Sequence, residues 1–117
     1  QSDAIRKLAS EKSCVIVGRC SDYILRDNPN CVSIFLHSSD EIRAERISQR
    51  LNVSFDDALT IMRKEDNKRA DYYNFYSDKT WGDSATYDLS IDVSKIGEEK
   101  TVEFILSYLT MRFSNHF

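Results

Sequence analysis

Apolar and polar positions alternate along this chain with two different periods, and the change of period marks the elements. Ser2 and Asp3 stand as a cap before Ile5, Leu8 and Ala9, which share one helical face as far as about Lys12. Cys14-Val-Ile-Val-Gly-Arg19 follows, a run without charge closed abruptly by a glycine and an arginine. Such a run predicts a buried parallel strand over 14–18. Ser21 or Asp22 starts a short helix through Tyr23, Ile24 and Leu25, and Asn28-Pro29-Asn30 breaks it. Val32–His37 reads as a second strand. Ser38-Ser39-Asp40-Glu41 is an N-cap with acidic residues in the first turn, predicting a helix to about Leu51. Ser54 caps the next helix, in which Ala58, Ile61 and Met62 are spaced for one face and which extends as far as Tyr76. Lys79–Ser84 is loop, and Tyr87–Val93 alternates as a strand. Gly97 precedes a last helix with Val102, Ile105, Leu106, Leu109 and Phe113 on one stripe. Strands interleaved with helices in this order predict an α/β fold, a parallel sheet with flanking helices.

Composition narrows the class without changing that picture. With 117 residues, 41% hydrophobic and 30% charged, the chain has the material of one globular core. A net charge of −3 argues against a nucleic-acid binder that works through a broad basic surface. Apolar runs fall far short of a membrane span, and no signal-peptide pattern opens the chain. Cys14, Cys20 and Cys31 are irregularly spaced, as reduced cytoplasmic thiols are, and His37 and His116 stand apart. No metal site is expected. Asn52-Val53-Ser54 matches a glycosylation sequon that a cytoplasmic chain would not use.

Candidate chemistry gathers on arginines. Ligands of open α/β sheets bind beyond the carboxyl ends of the strands, where Arg19 follows Gly18. A guanidinium there can fork onto a phosphate. Arg43, Arg46 and Arg50 fall at i, i+3 and i+7 of the helix after the second strand. Arg63, Asp66 and Arg69 recur every third position on the next helix, followed by Tyr72, Tyr73 and Tyr76. Guanidiniums from neighbouring helices suit a polyphosphate, whose transfer depends on positioning and charge stabilisation. The same helices also carry Glu41, Glu45, Glu65 and Asp71, and a mixed-sign face is commonly just a solvated one. Spacing leaves both open.

Four segments in sequence tip the balance. Cys14–Arg19, Ile34-Phe-Leu-His-Ser-Ser39, Arg46-Ile-Ser-Gln-Arg50 and Asp66-Asn-Lys-Arg-Ala-Asp-Tyr-Tyr73 together resemble the cytidylate kinase-like family of nucleoside monophosphate kinases. The likeness runs from Ala4 to about Tyr108. It implies a P-loop kinase fold, with residues 1–117 the carboxyl-terminal part of one such domain and a helical lid at about 46–76. It implies phosphoryl transfer from ATP, with magnesium, to a CMP-type acceptor. Arg19 matches the family's acceptor-phosphate arginine, and Arg46 and Arg50 match the pair entering the lid. Arg63 and Arg69 match the lid arginines that reach the phosphates, and Asp66 the aspartate at the acceptor ribose or pocket wall. Ser94 and Lys95 lie in what should be the loop bordering the adenine.

The chain also departs from the family. Gly18, Gly82 and Gly97 are its only glycines and none precedes a lysine, so the Gly-x4-Gly-Lys-Ser/Thr phosphate loop is absent. In the family that loop lies upstream, on a central strand between those at 14–18 and 32–37. The sheet is therefore expected to be incomplete, missing the amino-terminal P-loop strand. Its gap would be filled by an unassigned segment or by a second copy in a homo-oligomer, and the chain alone would be inactive. Val17 stands where many P-loop enzymes carry an acidic magnesium partner, and Cys20 replaces the aspartate of typical bacterial cytidylate kinases. A non-catalytic nucleotide-sensing or scaffolding module derived from such a kinase is the alternative. A plain interaction domain is a third.

Overall fold

A computed structural model describes residues 2–18 and 20–114. In chain order its elements are α1 (Ser2–Glu11), α2 (Ser21–Ile24), β1 (Ile34–His37), α3 (Asp40–Leu51), α4 (Phe55–Ser77), a 3-10 turn (Ser84–Thr86), β2 (Leu89–Asp92) and α5 (Val93–Arg112). The sheet has two parallel strands, β1 beside β2, with helices flanking it.

The helices begin where their caps are. The Ser39 hydroxyl accepts from the Ile42 N–H at 3.2 Å, and Ser54 accepts from Asp57 at 3.1 Å. Each answers one of the unpaired donors of a helix start. Asn52 closes α3 in the left-handed region, its N–H returning to the Ser48 carbonyl, as asparagine does at helix ends. Asp92 opens α5 by accepting from the Ser94 N–H at 3.0 Å.

Contacts divide the chain into two compact units. The first holds residues 1–34 and 63–89. Here α1 packs on α2, and Ile5, Cys20 and Tyr73 are buried. The loop after α4 is tied down by its own polar groups. The Trp81 N–H donates to Asn74 at 2.8 Å, the Gly82 N–H to the Tyr87 hydroxyl at 3.1 Å, and the Thr86 hydroxyl to the Thr80 carbonyl at 3.0 Å. Ser33 and Asp88 set the strand register. The Asp88 carboxylate accepts from the Ser33 N–H at 2.8 Å, while the Asp88 and Leu89 N–H groups both donate to the Ser33 carbonyl.

The second unit holds residues 35–62 and 90–117, with Ala44, Ala58, Met62, Ile91 and Thr101 buried. Within α5, Gly97 is non-helical at φ 83°, ψ 168°. That region is essentially closed to residues with a Cβ. The break separates a first turn at Val93–Ile96 from the long remainder, and the Thr101 hydroxyl donates to the Gly97 carbonyl at 2.6 Å.

Several expectations need correction. Residues 14–18 do not form a buried strand: Ser13–Val17 is irregular, and Val15 and Val17 are 93% and 87% exposed. Extended backbone becomes a strand only by entering a ladder, and among the described residues the ladder consists of β1 and β2. The strands expected over 32–37 and 87–93 shrink to 34–37 and 89–92. Ser94 and Lys95 lie in a helical turn instead of a loop, because the Asp92 cap starts α5 ahead of Gly97. On α5, Val102 and Leu106 are exposed, and the inner face carries Thr101, Ile105, Leu109 and Phe113. Ile105, Leu109 and Phe113 thus keep the expected stripe, while buried Thr101 stands on it in place of Val102 and Leu106.

Candidate functional site

Gly18 ends the exposed segment at φ 72°. Its carbonyl accepts twice from Ser21, from the N–H at 3.2 Å and from the hydroxyl at 2.7 Å. This turn launches α2. Arg19, the expected acceptor arginine, lies outside the described residues.

The lid candidates fall in both units. In the second, Arg46 is exposed on α3, with its Nη2 2.9 Å from Oε1 of Glu98 on α5. Arg50 is exposed in the last turn of α3, where the helix dipole favours a cation. Lys95 is exposed, and the Ser94 hydroxyl donates to Asp92. That bond, ahead of the smaller attraction of His37, holds the Asp92 carboxyl below the usual carboxylate range. Exposed guanidiniums are available to an incoming phosphate, whereas the Ser94 hydroxyl must first leave its carboxylate partner.

In the first unit, Arg63, Asp66 and Arg69 occupy successive turns of α4. Arg63 and Arg69 are exposed, and Asp66 is half-buried with its Oδ1 2.9 Å from Arg69 Nη1. The structure thus joins Asp66 to Arg69 directly. Arg46 and Ser94 are instead held by Glu98 and Asp92, residues not singled out from sequence.

A further polar contact lies near the Gly18 turn. Tyr73, only 6% exposed, donates its hydroxyl to Asp22 Oδ2 at 2.7 Å. Its ring stacks on Tyr87, centroids 6.2 Å apart. Burial first and the Asp22 carboxylate second push the Tyr73 phenol well above its ordinary pKa, so it remains a donor. Burial likewise raises Tyr87 and the Cys20 thiol, which disfavours the nucleophilic thiolate. Sequence periodicity could have found the face, since Tyr73 follows Asp66 by two helical turns. Nothing in the spacing announced Asp22 as its partner.

Among the described residues, no cluster of three His, Cys, Asp or Glu side chains could hold a metal ion. No helix there is long and apolar enough to cross a membrane.

Residues 1–95 match the profile of the Cytidylate kinase-like family. The chain belongs to that family. The match spans every candidate position from Arg19 to Lys95 and confirms the resemblance drawn from the four segments. Among curated cytidylate kinases, that of Saccharolobus islandicus is 28% identical over 92% of this chain and 57% of its own length. That of Methanothrix thermoacetophila is 32% identical over 90% of this chain and 59% of its own. A crystal structure of an uncharacterized protein from Eubacterium ventriosum superposes with a TM-score of 0.88 at 40% identity, over 92% of this chain and 68% of that one. This family member therefore spans less than two thirds of the curated relatives it matches.

Proposed function

We propose that the protein to which this chain belongs is a nucleoside monophosphate kinase that phosphorylates a CMP-type acceptor in the cytoplasm. The observation that carries this reading is the family match over residues 1–95, which includes Arg19, Arg46, Arg50, Arg63, Asp66, Arg69, Ser94 and Lys95. Bound ATP with magnesium would supply the transferable γ-phosphoryl group.

This chain's own residues bind, orient and neutralise. Arg19 and Asp66 take the acceptor, the arginine on its phosphate and the carboxylate on its ribose or pocket wall. Arg46, Arg50, Arg63 and Arg69 offset the charge on the phosphates, which is the main protein contribution to such a transfer. The exposure of these guanidiniums on α3 and α4 fits that role. Ser94 and Lys95 border the adenine. The donor set described offers no metal cage. The phosphate cradle comes from a strand outside this chain that pairs along residues 14–18. The exposure of Val15 and Val17 leaves that segment open to such a strand.

The test is ADP release by the complete protein with ATP, magnesium and CMP, and by the 117-residue chain alone. CMP-dependent ADP release by the complete protein, absent from the short chain, is expected. Nucleotide binding without turnover on any nucleoside monophosphate would overturn the kinase reading in favour of a non-catalytic sensing or scaffolding module. Turnover by the short chain alone would refute the external cradle.

A further inference from the structure

Tyr73 and Asp22 lie 51 positions apart in sequence, yet they join the two parts of the first unit that matter most for an acceptor site. One is the turn that starts at Gly18. The other is the half of α4 that carries Arg63, Asp66 and Arg69. From the Gly18 carbonyl the connection passes through two hydrogen bonds to Ser21. Asp22, the next residue of α2, receives the Tyr73 hydroxyl at 2.7 Å. Tyr73 shares a helical face with Asp66, two turns away. The residue is held through its ring and through its main chain. Tyr87 stacks on its ring, with its own hydroxyl fixed by the Gly82 N–H, and the buried Ser77 hydroxyl bonds back to the Tyr73 carbonyl.

A buried phenol needs a partner for its oxygen whatever its role. This one points its hydroxyl at a half-buried carboxylate, a directional and charge-assisted bond. Rotating or sliding α4 against α2 would break it, leaving a buried phenol without an acceptor.

We propose that Tyr73 and Asp22 are positioning residues for the acceptor nucleotide, their hydrogen bond fixing the register of the Asp66–Arg69 face of α4 against the Gly18 turn. This rests on the kinase reading above. Neither side chain need touch the nucleotide. The pair acts by holding the groups that do.

The test uses the complete protein and the variants Tyr73→Phe, Asp22→Ala, Asp22→Asn and the double variant Tyr73→Phe/Asp22→Ala. KM for CMP is measured at saturating ATP, and KM for ATP at saturating CMP. Tyr73→Phe keeps the stacked ring and loses the bond. It and Asp22→Ala should each raise KM for CMP about tenfold, inside the roughly 100-fold that an ångström of misplacement can cost. KM for ATP should stay within about twofold. Asp22→Asn still offers an oxygen to Tyr73 and should rescue most of the loss. The double variant should be no worse than either single one, since both remove one bond.

An unchanged KM for CMP in Tyr73→Phe, or an equal rise in both KM values, would overturn the proposal. So would Asp22→Asn failing as badly as Asp22→Ala, which would place the Asp22 charge, and not the tether, on the nucleotide. Amide exchange at Ile24 and Leu25, whose N–H groups close α2, supplies a readout independent of turnover. Faster exchange in Tyr73→Phe is expected, and unchanged exchange would sink the tether whatever the kinetics. A wild-type protein without CMP-dependent turnover is seen before any variant is made, and it refutes the kinase reading itself.

Discussion

Met62 and Arg63 are neighbours on α4 with opposite duties, and exchanging each for alanine should separate folding from chemistry. Met62 is 2% exposed; Arg63 is exposed. Truncating a buried methionine to alanine costs about 2–5 kcal/mol, the transfer of the lost atoms plus the cavity left behind. That is a large part of a domain's roughly 5–15 kcal/mol. Taking about 3 kcal/mol and a urea slope of about 1.5 kcal/mol per molar, the unfolding midpoint of Met62→Ala should fall by about 2 M. Arg63→Ala removes an exposed side chain in favour of the best helix former, so its stability should stay within about 0.5 kcal/mol of wild type. Its turnover should instead drop by about 100-fold or more, the scale of losing one group that stabilises transition-state charge. The assay is urea unfolding followed by circular dichroism, paired with ADP release, on the complete protein. A Met62→Ala midpoint lowered by less than about 0.5 M would mean that this part of α4 is not a core element. A stable Arg63→Ala with wild-type turnover would remove Arg63 from the phosphate-binding set.

Gly97→Ala places a Cβ where no atom lies within 4 Å, so its cost is backbone strain alone, about 1–3 kcal/mol. An unchanged thermal midpoint would show that the break in α5 relaxes freely into helix. Asp92→Asn tests the cap of α5 through pH. Because the folded protein holds this carboxyl below its ordinary range, its contribution is complete above the unfolded carboxylate pKa and is lost as pH falls through the lowered one. The variant should be less stable at neutral pH and should show a shallower stability loss on acidification across that window. Parallel pH profiles for variant and wild type would refute it.

How much of this could be read from the chain varies with how local the cause is. Ser39 and Ser54 announced α3 and α4 because a cap acts on donors two or three residues away, and both helices run close to their expected bounds. Cys14–Gly18 misled for the opposite reason. Its composition fits a strand, but a strand also needs a neighbour, and no periodicity states whether one is there. Gly97 was legible as a helix boundary, yet Asp92 places a helical turn before it, and Ser94 and Lys95 sit in that turn. At the site, residue type pointed to the arginines. Glu98, the carboxylate that holds Arg46, was not legible, since it lies 52 positions away and meets it only through the fold.

Ser33 and Asp88, which set the strands in register, are 55 positions apart. On a ribosome adding about 5–20 residues per second, β1 therefore waits roughly 3–11 s for its partner to be made. α3 and α4 need only local hydrogen bonds and can form in under a microsecond once clear of the exit tunnel. The nascent chain can thus form α3 and α4 well before β1 can pair with β2. Slowing translation between Leu51 and Asp88 would lengthen the wait of β1 for β2 in proportion.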